Sequence, residues 1–148
     1  VTGDADGTYP FERTTEFVQY LLDKNLDFVN CDRYGKLEPG AMSRKHLLGN
    51  WVLSTTARAL FFVKVHDSQS GMWVIRRAAL KQIDYESLSE GMALSQEIKI
   101  VFWKTKGMKV AEIPGSLRPR IGMPVLASWR DGLGNLRRLY KLRLARKF

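Results

Sequence analysis

The order of secondary structure at the start of the chain constrains the fold most strongly. Residues 1–4 predict the end of a strand, and an Asp-x-Asp-Gly turn follows at residues 4–7. Residues 11–23 predict a helix from their apolar spacing, and residues 26–30 predict a second strand. This order indicates a βαβ unit with a parallel sheet in an α/β fold. Ligands bind such sheets at the carboxyl ends of the strands, where both the turn and the residues after Asn30 fall.

The pair formed by Asp4 and Asp6 allows two interpretations. Side chains two residues apart at a strand end point the same way, so two hard oxygen ligands would converge on one point. That arrangement suits Mg²⁺ or Mn²⁺ bridged to a substrate diphosphate. The alternative is a polar turn that caps the next helix, since Asp, Gly and Thr are turn residues. The pair on its own favours the cap.

Further helices and one further strand are predicted from apolar spacing and turn residues. The helices cover residues 43–62, 76–83, 95–106 and 124–148. The strand covers residues 108–117, and Pro114 indicates that it is an edge strand or stops there, because proline cannot donate to a ladder. Polar loops lie at residues 31–40, 66–71 and 118–123.

Positive charge is concentrated at the end of the chain. The formal net charge is +9, and residues 118–148 carry nine Lys and Arg against the single acid Asp131. The partner of this segment should therefore be anionic, such as a phosphate-bearing substrate, an acidic membrane surface or a nucleic acid. Helix 43–62 also has a basic face and an apolar face with Trp51, a pattern typical of helices on membranes and of helices packed in a core.

Several classes of protein are excluded. The longest apolar run, residues 59–63, is far shorter than the ~20 residues that span a bilayer. Cys31 is the only cysteine, which excludes an internal disulfide and fits a reducing compartment. His46 and His66 lack the spacing of a structural zinc site. No glycine-rich phosphate loop and no Ser-His-Asp arrangement is present.

Three shorter motifs are weak signals individually. Ser70 and Gly71 combine a small hydroxyl with a flexible backbone, which suits close approach to a phosphate or sugar. Arg118 and Arg120 could bind a phosphate bidentately or form a solvated basic loop. Glu97 could contact a sugar or only complement the dipole of its helix.

Taken together, seven stretches resemble the family 2 glycosyltransferases of inverting GT-A type, especially dolichyl-phosphate mannose synthase and bacterial polyprenyl-phosphate glycosyltransferases. In order, they are DADGTYP, DFVNCDRYG, KLEPGAMS, HDSQSGM, SQEI, AEIP and RPRIG with SWRDGL. The resemblance covers nearly the whole chain. It implies that residues 1–148 are the carboxyl-terminal part of one GT-A (Rossmann-like) domain with a mixed sheet, lacking the amino-terminal nucleotide-binding strands. A basic amphipathic helix would occupy residues 124–148.

The resemblance also implies an activity and a site. The activity is inverting, metal-dependent sugar transfer from a nucleotide-sugar donor to a polyprenyl phosphate, at the cytoplasmic face of an anionic membrane and without nucleic acid. Asp4 and Asp6 would hold Mg²⁺ or Mn²⁺ and the donor diphosphate, and Asp6 and Glu97 would be catalytic. The residues implied for the acceptor phosphate are Arg33, Asp67, Ser70, Gly71, Arg118 and Arg120.

Two positions depart from the family pattern. Trp73 and Val125 stand where relatives often have cations, so both changes remove positive charge near the expected phosphate. The rival interpretation is a non-catalytic basic module that binds anionic membrane or nucleic acid. The Asp pair discriminates between the two, since a nucleic-acid binder has no use for two acids beside its ligand.

Overall fold

A three-stranded mixed sheet organises the computed structural model, which describes residues 1–121 and 128–145. The central strand β1 (Phe28–Asp32) pairs antiparallel with β2 (Trp73–Ile75) and parallel with β3 (Val110–Pro114). The predicted α/β class with a mixed sheet is therefore confirmed. β3 lies at the sheet edge and ends at Pro114, so the predicted strand 108–117 was too long and its edge position was right.

The predicted first strand and the predicted parallel sheet were wrong, because residues 1–4 form no strand and β2 is antiparallel to β1. Thr2 makes only a single antiparallel bridge, to Trp73. β2 therefore lies between the first residues and β1, and these two segments run in the same direction without pairing. The sequence analysis missed β2, because three apolar residues are too short a run to indicate a strand. The ends of both segments still meet at the same edge of the sheet.

Five helices surround the sheet in the described residues. They are α1 (Thr14–Asp23), α2 (Arg44–Phe61), α3 (Arg77–Leu80), α4 (Leu94–Lys104) and α5 (Ser128–Leu144). The Ser43 hydroxyl accepts a hydrogen bond from the His46 amide at 3.3 Å and so caps α2. Phe62 ends this helix in the left-handed conformation, with φ 55°. Each predicted helix is present, although α3 is shorter than the predicted 76–83.

Both faces of the sheet are covered by helices. On one face, Phe17 and Leu21 of α1 pack with Val29 of β1. On the other face, Phe28 stacks on Phe102 of α4, with ring centroids 4.7 Å apart. This alternation of neighbouring residues between two cores follows from the strand period of two. The helices leave the polar ends of the strands uncovered.

The carboxyl-terminal helix is part of the core. Leu139 and Leu142 of α5 are buried against α2 and against Ile100 of α4. The outer face of α5 keeps Tyr140 and Leu144 exposed. The predicted start of this helix at Pro124 and the predicted effect of Val125 fall outside the described residues. No helix within residues 1–121 or 128–145 is long and apolar enough to cross a bilayer.

Candidate functional site

Polar segments meet at the end of the sheet where β1 and β3 have their carboxyl termini. This end of the sheet is called the edge below. Gly71, just before β2, lies so close to Asp4 that a Cβ on it would be 2.6 Å from Asp4 Oδ2. The Gly71 amide donates to the Tyr9 hydroxyl at 2.6 Å, and its carbonyl accepts from Thr2 Oγ1 at 3.3 Å. The Asp turn and the loop at residues 66–71 are therefore in direct contact, as their predicted places at strand ends suggested.

The carboxylate of Asp6 is held on both sides. Its Oδ1 accepts hydrogen bonds from the Thr8 amide (3.1 Å) and the Thr8 hydroxyl (2.6 Å), while its Oδ2 lies 2.8 Å from Arg120 Nη2. Partial burial opposes ionisation of Asp6, but the Thr8 hydrogen bonds and the Arg120 charge outweigh it and lower its pKa. Asp6 thus closes a polar turn on Thr8 and carries a negative charge at the edge, but the helix cap that the alternative interpretation expected is wrong, because no side chain caps the helical turns that follow.

The segment at residues 118–121 lies against the Asp turn. The Arg118 amide donates to the Thr8 carbonyl at 3.0 Å, and the Ile121 amide donates to the Asp6 carbonyl at 3.1 Å. The Arg118 guanidinium pairs with Glu12, away from the Asp pair. The two arginines that the sequence analysis grouped together therefore have different partners, and only Arg120 reaches the Asp pair.

Asp4 has the more accessible carboxylate of the two. Its side chain is exposed and, among residues 1–121 and 128–145, accepts no hydrogen bond. The same described residues contain no group of three or more His, Cys, Asp or Glu that could hold a metal. The metal and diphosphate site expected at Asp4 and Asp6 stays a prediction.

Arg33 and Asp67 form a bidentate ion pair beside this turn. Arg33 Nε and Nη2 lie 2.7 and 2.8 Å from Oδ2 and Oδ1 of Asp67, and the Arg33 amide also donates to Oδ2. Asp67 is completely buried, whereas the Arg33 side chain is 11% exposed. Burial opposes ionisation of Asp67, but the Arg33 charge outweighs it and lowers the pKa of the carboxyl. Asp67 thereby fixes the orientation of a cation at the edge.

The strands beneath supply two supports that the sequence analysis missed. Asn30 Nδ2 of β1 donates to the Asp67 carbonyl (2.9 Å) and to Glu112 Oε1 of β3 (2.6 Å). Glu112 also accepts from the Asp67 amide at 2.8 Å and from the His66 amide at 2.5 Å. Burial raises the pKa of Glu112. Polar residues inside otherwise apolar strands were the available signal, and they hold the start of the loop.

Lys99 of α4 is a third residue that the sequence analysis missed. Its side chain is completely buried, and Nζ lies 3.0 Å or less from the carbonyls of Ser68, Ser70 and Ser95. Nζ also lies 4.8 Å from the centroid of the Trp73 ring. Burial lowers the pKa of Lys99 to about 7. A lysine within the apolar run of α4 was the available signal, and it places a cation beside the tryptophan that departs from the family pattern.

Ser70 contributes to this arrangement through its backbone. Its hydroxyl is occupied within the loop, 3.3 Å from the Met72 amide and 3.4 Å from the Met72 carbonyl. Its carbonyl accepts from Lys99 Nζ and from Ser95 Oγ, both at 2.6 Å. The predicted contact of the Ser70 hydroxyl with an acceptor stays a prediction.

Glu97 lies on a different side of α4. Arg138 Nε of α5 lies 2.6 Å from its Oε1, and the Ser89 amide and hydroxyl donate to Oε2 and Oε1 at 3.0 and 2.5 Å. In the part of the chain that the structure describes, no hydrogen bond or ion pair joins Glu97 to Asp4 or Asp6. Arg138 and Ser89 thus occupy the Glu97 carboxylate, and its predicted contact with the sugar stays a prediction.

An apolar groove adjoins the ion pair of Arg33 and Asp67. Its volume is about 360 Å³, and its lining residues are Tyr34, Leu47, Trp51, Ser54, Arg58 and His66. Trp51 is 59% exposed. The His66 ring nitrogen Nδ1 lies 2.7 Å from Asp32 Oδ2 at the end of β1. The groove therefore joins an aromatic and aliphatic surface to the polar edge.

Fold and site together define an α/β protein with acidic and basic groups collected where its strands end. Over 134 residues the chain is 34% identical to the dolichyl-phosphate hexose transferase of Haloferax volcanii, a match that covers 89% of this chain and 55% of that protein. It is 27% identical over 117 residues to glycosyltransferase AglJ of the same organism, covering 79% of this chain and 37% of AglJ. No protein-family model matches the chain, and no solved structure matches it.

These two matches support a family 2 glycosyltransferase of the polyprenyl-phosphate type. This finding agrees with the resemblance carried by the motifs of the chain. The chain spans about half the length of the first curated relative and less of the second.

Proposed function

We propose that the protein carrying this chain transfers a sugar from a nucleotide-sugar donor to a polyprenyl phosphate. The observation that carries the proposal is the loop at residues 66–71, which touches Asp4 through Gly71 and orients Arg33 through Asp67. A carboxylate turn suited to a metal diphosphate and a cation suited to a phosphate thus share one sheet edge. The names of the two relatives, a dolichyl-phosphate hexose transferase and a glycosyltransferase, support this reading.

On the donor side, Asp4 and Asp6 would hold Mg²⁺ or Mn²⁺ together with the diphosphate of the nucleotide sugar. When bound, such an ion supplies charge stabilisation for the departing diphosphate. The exposed Asp4 carboxylate is directly available, and Asp6 becomes available when its Oδ2 leaves Arg120. The GT-A fold proposed for the complete domain would place the nucleotide against this turn.

On the acceptor side, Arg33 would bind the phosphate of the polyprenyl chain. Guanidinium groups bind phosphate oxygens well. Asp67 takes the Nε and Nη2 side of Arg33 and holds the group in place at a small cost in side-chain entropy, which would leave Nη1 for the phosphate. The groove that contains Leu47 and Trp51 adjoins Arg33 and would receive the first isoprene units. The groove and the ion pair together thus present an apolar surface and a cation to an amphiphilic phosphate.

The chemistry follows from the nucleophile. An ionised phosphate oxygen is already nucleophilic, so attack on the anomeric carbon requires no strong general base. Attack from the face opposite the leaving diphosphate inverts the anomeric configuration. The protein's task is then to align two anionic groups and balance their charge, and we assign that task to Arg33 and Arg120, with Asp6 on the donor side.

The helices on the outside would hold the enzyme at an anionic membrane. α2 exposes Leu48 and Trp51, and α5 exposes Tyr140 among basic residues that include Arg137 and Lys141. Aromatic and basic side chains on amphipathic helices favour the interface of a bilayer, at about 1 kcal/mol per basic residue near an anionic surface. We propose the cytoplasmic face, where such lipids are concentrated.

The test is sugar transfer by the complete gene product, with a panel of nucleotide sugars, a short-chain polyprenyl phosphate and Mn²⁺. Asp4→Ala and Asp6→Ala should each lower kcat/KM at least a hundredfold, and the anomeric proton coupling of the product should report inversion. Asp84→Ala, which removes an exposed acid away from the edge, is the matched control and should keep wild-type activity.

Two outcomes would contradict the proposal. Equal rates of sugar transfer for the Asp4 variant, the Asp6 variant and the wild type would show that these two carboxylates do not form the donor site. Binding of duplex DNA with a steep dependence on salt, without binding to anionic vesicles, would instead favour the basic-module interpretation.

A further inference from the structure

Lys99 occupies a cage of oxygen atoms behind the loop. Its ammonium has three protons to donate, and four oxygens lie within reach: Ser68 O at 3.0 Å, Ser70 O at 2.6 Å, Ser95 O at 2.9 Å and Ser95 Oγ at 2.9 Å. The side chain is 0% exposed. A buried lysine with all of its protons engaged is rare, and its burial costs free energy. The closest of its acceptors is Ser70 O, which belongs to the candidate site.

The two carbonyls of the loop depend on this ammonium. Ser68 O and Ser70 O both point into the interior toward Lys99, and Ser95 Oγ is the only other donor described to either of them. Without the ammonium, at least the Ser68 carbonyl would be buried without a partner, which costs free energy comparable to a lost hydrogen bond. We therefore expect the backbone of the loop to rearrange so that these carbonyls reach other donors.

Displacement of these carbonyls would move both sides of the site. Residues 68–70 connect Asp67, which orients Arg33, to Gly71, which lies against Asp4. The outer ends of the segment have their own anchors, Glu112 at the Asp67 amide and Tyr9 at the Gly71 amide. Lys99 holds the middle of this segment through the Ser68 and Ser70 carbonyls.

We infer that Lys99 is a positioning residue that fixes the backbone of residues 68–71 so that Asp67 presents Arg33 to the acceptor phosphate. Lys99 itself is enclosed and touches no substrate. Its contact with the Trp73 ring, 4.8 Å away, anchors the ammonium from the strand side, and the cation–π attraction favours its charged form there. The inference rests on the proposed function for the identity of the acceptor, but the geometry of the loop is independent of it.

The experiment compares Lys99→Met with Lys104→Met in the complete gene product. Methionine keeps the apolar stem of the side chain and removes its donors, and Lys104 is an exposed lysine on the same helix. We expect Lys99→Met to raise the KM for polyprenyl phosphate about tenfold and the KM for the nucleotide sugar by a smaller factor, because Tyr9 still holds the Gly71 side of the loop. Lys104→Met should leave both constants unchanged.

Hydrogen exchange separates this inference from the proposed function. Peptides covering residues 67–72 should exchange at least tenfold faster in Lys99→Met, while peptides from β1 keep their protection. Ser95→Ala, which removes one of the four acceptors and the second donor to Ser70 O, is a milder variant and should change exchange in the same direction.

Two results would overturn the inference. One is unchanged exchange at residues 67–72 in Lys99→Met. The other is a lower apparent kcat with an unchanged KM for the acceptor, as expected from loss of folded enzyme alone. If the wild type transfers no sugar and the exchange result holds, the proposed function fails and the positioning role remains.

Discussion

Arg120 Nη2 lies 2.8 Å from Asp6 Oδ2, so a cation of the protein occupies one side of the proposed metal ligand. The contact is reinforced by the backbone, because the Ile121 amide donates to the Asp6 carbonyl. A divalent ion that uses both Asp4 and Asp6 would compete with this guanidinium for the same oxygen. The arginine displaced from Asp6 would then be available to the phosphates of the substrates.

Arg120→Gln is expected to strengthen the binding of Mn²⁺. The side chains of Arg120 and Asp6 are 40% and 17% exposed, so the pair is partly screened and its removal should raise affinity about two- to fivefold. Titration followed by electron paramagnetic resonance of free Mn²⁺ measures the change. Arg118→Gln, whose guanidinium pairs with Glu12, should leave the affinity unchanged, and weaker binding by Arg120→Gln would contradict the competition.

Gly71→Ala should impair metal binding more than folding. The new Cβ would lie 2.6 Å from Asp4 Oδ2, and an exposed carboxylate can move aside. We therefore expect the free energy of unfolding to change by less than about 1 kcal/mol and Mn²⁺ affinity to fall severalfold, measured by urea denaturation and calorimetric titration. Gly40→Ala meets no atom within 4 Å but has a positive φ of 81°, so it should show the opposite pattern, some loss of stability without loss of metal.

Asp67→Asn should destabilise the fold strongly. It leaves the Arg33 guanidinium with a neutral partner in a buried site, and breaking a buried ion pair on one side costs about 3–5 kcal/mol. The double variant Arg33→Met, Asp67→Asn should recover most of this stability while sugar transfer remains lost. Urea denaturation and the transfer assay measure the two effects, and a double variant less stable than Asp67→Asn would contradict the prediction.

The stability of the chain should depend on the titration of Lys99. Burial lowers its pKa from 10.5 to about 7 in the folded state, so between these values the unfolded chain binds more protons than the folded chain. The free energy of unfolding should therefore rise with pH across this window, by up to about 1.4 kcal/mol per pH unit from this group. Below pH 7 both states are protonated, and the contribution is constant.

Lys99→Met provides the reference for that measurement, because it keeps the other titrating groups. As the pH is raised from 7 to 10, the free energy of unfolding of the wild type should increase relative to that of Lys99→Met. A constant difference would show that the ammonium keeps an ordinary pKa in the folded state, and a difference that moves toward the variant would show that folding raises its pKa. Either result contradicts the prediction.

The helices and the sheet edge could be predicted because each depends on local patterns. α2 begins after the Ser43 cap and ends at Phe62, and both limits lie within one residue of the prediction. The βαβ order placed the Asp turn beside the loops that follow the strands, where Gly71 contacts Asp4, although residues 1–4 form only the single bridge of Thr2 and no strand. β2 could not be predicted, since three residues carry too little periodicity, and its insertion beside β1 depends on long-range pairing of Trp73 with Asn30.

Partners of charged side chains were the least predictable part of the site. Arg118 and Arg120 are two residues apart and bind different acids, Glu12 and Asp6. Lys99 was absent from the prediction, since a lysine in a helix is usually exposed. Its role depends on carbonyls 29 and 31 residues away along the chain, which no local pattern encodes.

The burial of Leu139 and Leu142 sets a limit on how the gene can be divided. A truncation before α5 would leave Leu53 and Phe61 of α2 facing water, and would remove the Arg138 partner of Glu97. A recombinant boundary that treats the basic segment as a dispensable tail would therefore yield aggregated protein. In chimaeras between relatives, α2, α4 and α5 should be exchanged as one unit.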